Sequence, residues 1–197
     1  MPDSQYPIPE PVKLKLDKAQ NAKQRIVLLN CGNSGSGKST LARNIVDRYP
    51  NFERLSIDKH VFETHGVYDV DYPASRYSQL QSEAEEVVIQ HLKTLLRDGK
   101  KDVVLDLSFY SKEMRDEYRG MIEEDGEGRC ETILVVFKGT EEVLWRRIEE
   151  RRKWIEEKWS RGEGSEGMSV GRETLRMYLR GFEWPGEDEG GILIEVV

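Results

Sequence analysis

A three-layer α/β/α fold, with a mostly parallel five-stranded sheet and a helical lid, is the architecture this sequence predicts, and three observations carry it. Short apolar runs alternate with amphipathic segments from Arg25 onward, the pattern of a parallel sheet whose crossover helices cover both faces. A glycine-rich octapeptide, Gly32-Asn-Ser-Gly-Ser-Gly-Lys-Ser39, joins the first run to the first amphipathic segment. An arginine-rich segment followed by a Gly- and Ser-rich stretch, about residues 145–170, has the composition of a movable lid.

The octapeptide fits the phosphate-binding pattern Gly-x-x-x-x-Gly-Lys-Ser/Thr in full, in the strand-loop-helix context it requires. Polyphosphate oxygens must be met closely by backbone N–H groups, and glycines at 32, 35 and 37 let the chain curl around them. The helix that follows from Thr40 adds orphan N–H groups and a partial positive charge. The nucleotide contacts expected are therefore Gly32, Asn33, Ser34, Gly35, Ser36, Gly37, Lys38, Ser39 and Thr40. Lys38 is the side chain for the β- and γ-phosphates, and the Ser39 hydroxyl is a ligand for Mg²⁺.

The composition is consistent with one domain of 197 residues, read as an arm over residues 1–24 and a domain over 25–197. No apolar run approaches the roughly 20 residues of a membrane span. The first residues, with four prolines among the first eleven, lack the regions of a secretory signal. A cytoplasmic setting with no membrane partner is the expectation. A net charge of −7 argues against a broad nucleic-acid surface, though it leaves room for a small basic pocket. Cys31 and Cys130 lack metal-ligand spacing and read as buried thiols.

Along the chain, Met1–Gln24 shows prolines and polar residues without a sustained apolar period, so an arm lying across the surface is expected. Arg25–Cys31 is the first strand and Thr40–Arg48 the first helix. A second strand, Arg54–Ile57, ends at Asp58, where doubly wound folds face their ligand crevice. Asp58 is thus either a reacting carboxylate or the cap of the next helix. Tyr68 and Tyr72, in the loop His65–Pro73, suit stacking on a ring or plain packing.

A long helix is expected over Ala74–Arg97, with His91 packed on its apolar stripe and Asp98-Gly99 ending it. The strand Lys101–Ser108 carries Asp106, which suits a contact to Mg²⁺ or a hydrogen bond to substrate. Arg115 and Arg119, one turn apart on the next helix, read equally as local ion bridges or an anion clamp. After a strand over Glu131–Phe137, a capped helix from Thr140 carries Arg146, Arg147, Arg151, Arg152 and Lys153 among several glutamates. That run is either a solvated charged face or a set of cations aimed at a phosphoryl group. A helix over Arg172–Gly181 and a strand over Gly191–Val197 close the chain.

Taken together, Gly32–Ser39, Ser56-Ile-Asp58, Val103-Val-Leu-Asp106, Arg147-Ile-Glu-Glu-Arg151 and the run Phe182–Glu189 resemble the small P-loop kinases grouped with chloramphenicol phosphotransferase, zeta toxins and polynucleotide 5′-kinase domains. The resemblance implies a P-loop NTPase fold. It also implies that Asp58 accepts a proton from an attacking hydroxyl, that Arg147 with Arg151 or Arg152 contacts phosphates, and that Phe182–Glu189 lies near the nucleotide base. ATP with Mg²⁺ and a small-molecule hydroxyl such as a nucleoside, sugar or antibiotic-like compound are the partners expected. A 5′-hydroxyl end of DNA or RNA is the first alternative, and an ATPase or nucleotide-binding module without an acceptor the second. The Asn-Lys-x-Asp signature of GTP switches is missing after Phe137-Lys-Gly-Thr140.

Overall fold

The computed structural model describes residues 7–159 and 170–197. Residues 1–6 of the expected arm and residues 160–169 of the expected lid lie outside the described residues.

Five parallel strands form the sheet: β1 Arg25–Gly32, β2 Phe52–Leu55, β3 Asp102–Leu105, β4 Cys130–Lys138 and β5 Ile192–Glu195. Their spatial order is β2-β3-β1-β4-β5, so the strand before the phosphate loop is central. Register is regular, with Val27 opposite Val103 and Leu29 opposite Leu105 on one side, and Leu28 opposite Ile133 on the other.

Strand side chains alternate between faces, and β1 feeds two cores accordingly. Ile26 and Leu28 join one core with Leu41, Ile45, Val104, Ile133 and Val135. Val27 and Leu29 join the other with Leu92, Leu96, Val103, Leu105, Tyr118 and Ile122. The first face is covered by α1 Glu10–Asn21, α2 Lys38–Arg48, α6 Glu141–Trp159 and α7 Arg172–Gly181. The second is covered by α4 Tyr77–Asp98 and α5 Lys112–Gly126. A satellite cluster of Val61, Tyr72, Tyr77, Leu80 and Ala84 joins α3 Ile57–His65 to α4. Among the described residues no helix is long and apolar enough to cross a membrane.

Three local expectations change. Glu10–Asn21 is a helix that begins at Pro9 and Pro11, because proline in the first helical turn has no N–H to lose. Val12, Leu16 and Ala19 line its inner face and are buried. His91 is half-exposed and paired with Glu53 at 3.0 Å rather than packed. Arg115 and Arg119 do not clamp an outside anion, and although Arg119 makes a local pair with Asp116 at 3.6 Å, the main partner of both is distant in the sequence. Arg115 is fully buried and grips Glu189 through Nε and Nη2 at 2.7 and 2.8 Å, and Arg119 reaches the same carboxylate at 2.8 Å. Those contacts fasten Phe182–Glu189 to α5.

Both cysteines are free thiols. Burial pushes the Cys31 thiol up to about 11, which keeps it protonated.

Candidate active site

Where β1 ends, the chain turns through Gly32–Ser39 into α2. Gly35 and Gly37 adopt left-handed φ values of 79° and 102°, and a side chain at Gly35 would meet the Leu144 carbonyl at 2.7 Å. The loop therefore needs glycine there, both for its backbone and for the close approach of α6. Lys38 Nζ donates to the Asn33 carbonyl at 2.9 Å, so the ammonium lies over the loop. Loss of hydration lowers its pKa, while the Asp106 and Asp58 carboxylates oppose that shift. Asn33 Nδ2 and Ser36 Oγ are buried without a hydrogen-bond partner in the same loop. Such orphaned polar atoms, beside a helix N-terminus and an ammonium, fit an anion with several oxygens.

Asp106 follows β3 directly, its N–H bonded to the Leu55 carbonyl at 2.8 Å. Ser39 Oγ donates to Asp106 Oδ1 at 3.1 Å. Arg54 of β2 donates to Oδ2 through Nε and Nη2 at 2.9 and 2.6 Å. A hydroxyl beside a carboxylate is an oxygen donor set of the kind Mg²⁺ takes alongside phosphate and water. Among the described residues there is no cluster of three or more His, Cys, Asp or Glu that could cage a metal alone.

Asp58 lies in the first turn of α3, not at the end of a strand. The cap is Ser56, whose Oγ accepts from the Lys59 N–H, so the Asp58 side chain is released from capping. Its carboxylate accepts from Tyr77 Oη at 2.8 Å. Water reaches it along the cleft, yet the surrounding walls strip enough hydration to raise its pKa above the ordinary 3.8. The Tyr77 hydrogen bond works against that rise, Asp106 adds to it, and Arg151 and Lys38 oppose it.

These groups open onto one cleft of about 1480 Å³, lined by Asn33 to Asn44 in part, Asp58, Tyr77, Asp106 and the inner face of α6. A smaller cavity of about 360 Å³ behind β2 contains none of Gly32–Ser39. Arg147 leans on the phosphate loop, its Nη1 3.8 Å from where a Gly37 side chain would begin, and its Nη2 donates to the Val197 carbonyl at 3.2 Å. Arg151 is exposed into the cleft and its charge acts on both Asp58 and Lys38. Arg152 also lines the cleft, held by the Val170 carbonyl at 3.3 Å and the Trp145 ring at 5.5 Å.

All the side chains singled out in the sequence as site residues thus border one cleft except Gly32, which forms the floor of the turn against Phe137. Two companions escape a reading of the sequence. Arg54 betrays itself only as a cation in a short strand, and Tyr77 as an aromatic one turn ahead of Leu80. Tyr68 and Tyr72 pack edge-to-face at 6.2 Å and neither lines the cleft. Phe182–Glu189 does not line it either, and Phe137 with Ile194–Val197 forms the wall there instead.

Comparison with known proteins supplies the relatives. The family model described as AAA domain matches residues 27–182. No curated protein matches. Among solved structures, the Pnkp1/Rnl/Hen1 RNA repair complex aligns with a TM-score of 0.61 at 19% identity, over 80% of this chain and 44% of that one. This chain therefore spans less than half the length of that relative. A gluconokinase from Sinorhizobium meliloti 1021 aligns at 0.53 and 17% identity, over 87% and 83% of the two chains. Chaetomium thermophilum Kti12 in complex with ADP-AlF3 aligns at 0.52 and 17%, over 86% and 88%. At such identities the structural likeness is one of fold, and the family match, extending over most of the chain, shows that this protein belongs to the AAA domain family.

Proposed function

We propose that the chain is a kinase that transfers the γ-phosphoryl group of ATP to a hydroxyl of a small molecule. The observation that carries this reading is Asp58: a carboxylate released from capping, oriented by Tyr77, and open to the cleft that the phosphate loop borders. A nucleotide switch or simple binding module has no need of a poised base at that place.

Phosphoryl transfer depends on in-line placement and on neutralising charge at the oxygens. The backbone of Gly32–Ser39 and Lys38 cradle the phosphates. Ser39 and Asp106 would hold Mg²⁺, which supplies charge neutralisation at the phosphates when bound. Arg54 fixes the Asp106 carboxylate from behind, and Arg147 and Arg151 bring guanidinium charge toward the group in transit. Asp58 takes the hydroxyl proton as the new bond forms. Burial raises its pKa above that of an ordinary aspartate, which makes its carboxylate a better base.

The test is γ-labelled ATP with Mg²⁺ and pooled hydroxyl metabolites, with the product identified by mass and phosphorus NMR. Label is expected in an organic phosphate, and Asp58→Asn is expected to stop its formation while retaining ATP. Label released only as inorganic phosphate, at a rate that no pool changes, would overturn the proposal.

A further inference from the structure

Strand order divides the cleft into two unlike halves. Beyond the loop after β1, the ends of β4 and β5 contribute Phe137, Ile194 and Val196. On the other side, the ends of β2 and β3 lead to Phe62 of α3, Leu107 and Tyr110 after β3, and Met114 of α5. Tyr178 of α7 meets Tyr110 edge-to-face with ring centroids 6.2 Å apart. Phe62, Tyr110, Met114 and Tyr178 are all half-buried, so each keeps part of its surface toward the cleft. Asp58 lies in this half.

The charges in this half are locally matched. Arg54 faces Asp106 at 2.6 Å and Lys59 faces Glu63 at 3.5 Å. Arg146, Arg147 and Arg151 come from α6, which follows β4 on the far side of the phosphate loop. Gln81, one turn after Tyr77 and so on the same face of α4, adds an uncharged donor and acceptor to the wall.

Resting on the kinase reading above, we propose that this half is the acceptor pocket and that its acceptor is a neutral alcohol carrying an aromatic ring, as a nucleoside does. A ring gains apolar burial and edge-to-face contact against Phe62, Tyr110 and Tyr178. A polyol placed there sets unpaired hydroxyls against Met114 and Phe62, and an anionic end meets the Asp58 carboxylate while Arg54 and Lys59 are engaged by Asp106 and Glu63. Tyr77 holds Asp58 Oδ1, which leaves Oδ2 for the acceptor. In the step itself the acceptor O–H proton passes to Asp58 and the oxygen bonds to the γ-phosphorus. The bond from that phosphorus to the β–γ bridging oxygen breaks, its electron pair leaving on ADP, and Asp58 returns the proton to solvent.

The test compares three acceptor classes at equal concentration with γ-labelled ATP and Mg²⁺: thymidine and 2-phenylethanol, glycerol and glucose, and glycerol 3-phosphate and a 5′-hydroxyl oligonucleotide. Binding of labelled thymidine in the presence of ADP and Mg²⁺ is measured alongside by equilibrium dialysis. Ring alcohols are expected to lead by at least about tenfold in kcat/KM, the size of one good aromatic contact. Tyr110→Leu and Met114→Ala are expected to raise the KM of the ring alcohol roughly tenfold and leave the KM for ATP unchanged. Tyr110 also touches Phe182, so Met114→Ala carries the test if Tyr110→Leu fails to fold. Preferred transfer to a polyol or an anionic acceptor, or ring-alcohol kinetics that neither variant alters, overturns the pocket assignment and leaves the kinase reading standing. Label on no acceptor of any class, with ATP binding intact, overturns both.

Discussion

Arg54 and Asp106, on neighbouring strand ends, form a two-point ion pair in which the arginine side chain is 9% exposed and the carboxylate 2%. Both N–H bonds go to Oδ2, which turns Oδ1 toward Ser39. A carboxylate pinned in this way presents one oxygen in one direction, where a singly held one would rotate.

Arg54→Ala should therefore do two things. It leaves Asp106 as a buried anion with its main partner removed, a loss of about 3–5 kcal/mol, readable as a lower urea midpoint. It also frees Oδ1 from its heading, so the gain in ATP affinity on adding Mg²⁺ should shrink more than affinity for ATP without the metal. Arg54→Lys, with the charge but no fork, should fall between. Wild-type metal dependence in Arg54→Ala would show that the pair only braces the sheet.

Asp58 and Tyr77 make a prediction with a defined sign. A base works when deprotonated, so the rate should rise with pH through an acid limb lying above the ordinary aspartate value of 3.8. The Tyr77 hydroxyl bonds to the carboxylate and lowers its pKa. Tyr77→Phe removes that bond, and the acid limb should shift to higher pH. Asp58→Asn should cut kcat by about 10²–10⁴-fold while ATP binding, followed by calorimetry, stays within a few-fold. Parallel loss of both in Asp58→Asn would mean that the residue supports the loop rather than the chemistry.

What was legible in the sequence was what rests on local rules. The phosphate loop is written in consecutive residues, and the five apolar runs each supply a strand of the sheet because period and composition are properties of the segment itself. Asp58 and Asp106 could be singled out because they follow such runs. Their partners could not: Arg54 reaches Asp106 across β2 and β3, and Tyr77 reaches Asp58 from α4, relations that exist only after the strands are ordered. Arg115 shows the same limit, since Glu189 lies 74 positions away. Strand ends moved for a local reason that the sequence does contain: Ser56 caps α3 and stops β2 at Leu55.

Glu189 gives a stability prediction tied to acid. The Arg115 and Arg119 guanidinium groups hold its carboxyl down to about 2, against an ordinary 4.5. Its pKa is depressed in the folded state, so its contribution is complete above about pH 4.5 and fades as pH falls through about 2. Glu189→Gln should flatten the pH dependence of unfolding free energy inside that window. At neutral pH it leaves Arg115 buried without its counter-charge, which costs about 3–5 kcal/mol. An unfolding profile between pH 2 and 4.5 as steep as the wild type's would assign the acid sensitivity to other carboxylates.

The helix Glu10–Asn21 offers the last test, because three apolar positions bury it against the sheet. Val12, Leu16 and Ala19 recur at intervals of four and three, are buried, and belong to the same core as Ile26, Leu28 and Ile45. Tyr49 of the α2 C-cap donates to Asp17 at 2.7 Å, a second tie between the two helices. A helix of twelve residues is marginal alone, so its order depends on these contacts. Leu16 is fully buried, and Leu16→Ala should destabilise the whole domain by about 2–5 kcal/mol in a single cooperative transition. Leu14 on the outer face is 60% exposed, and Leu14→Ala should stay within about 0.5 kcal/mol of wild type. If both variants unfold at the wild-type midpoint, and amide exchange in Glu10–Asn21 is fast while the sheet stays protected, the helix is an appendage. If Leu16→Ala lowers the midpoint for helix and sheet together, α1 is part of the cooperative unit that carries the phosphate loop.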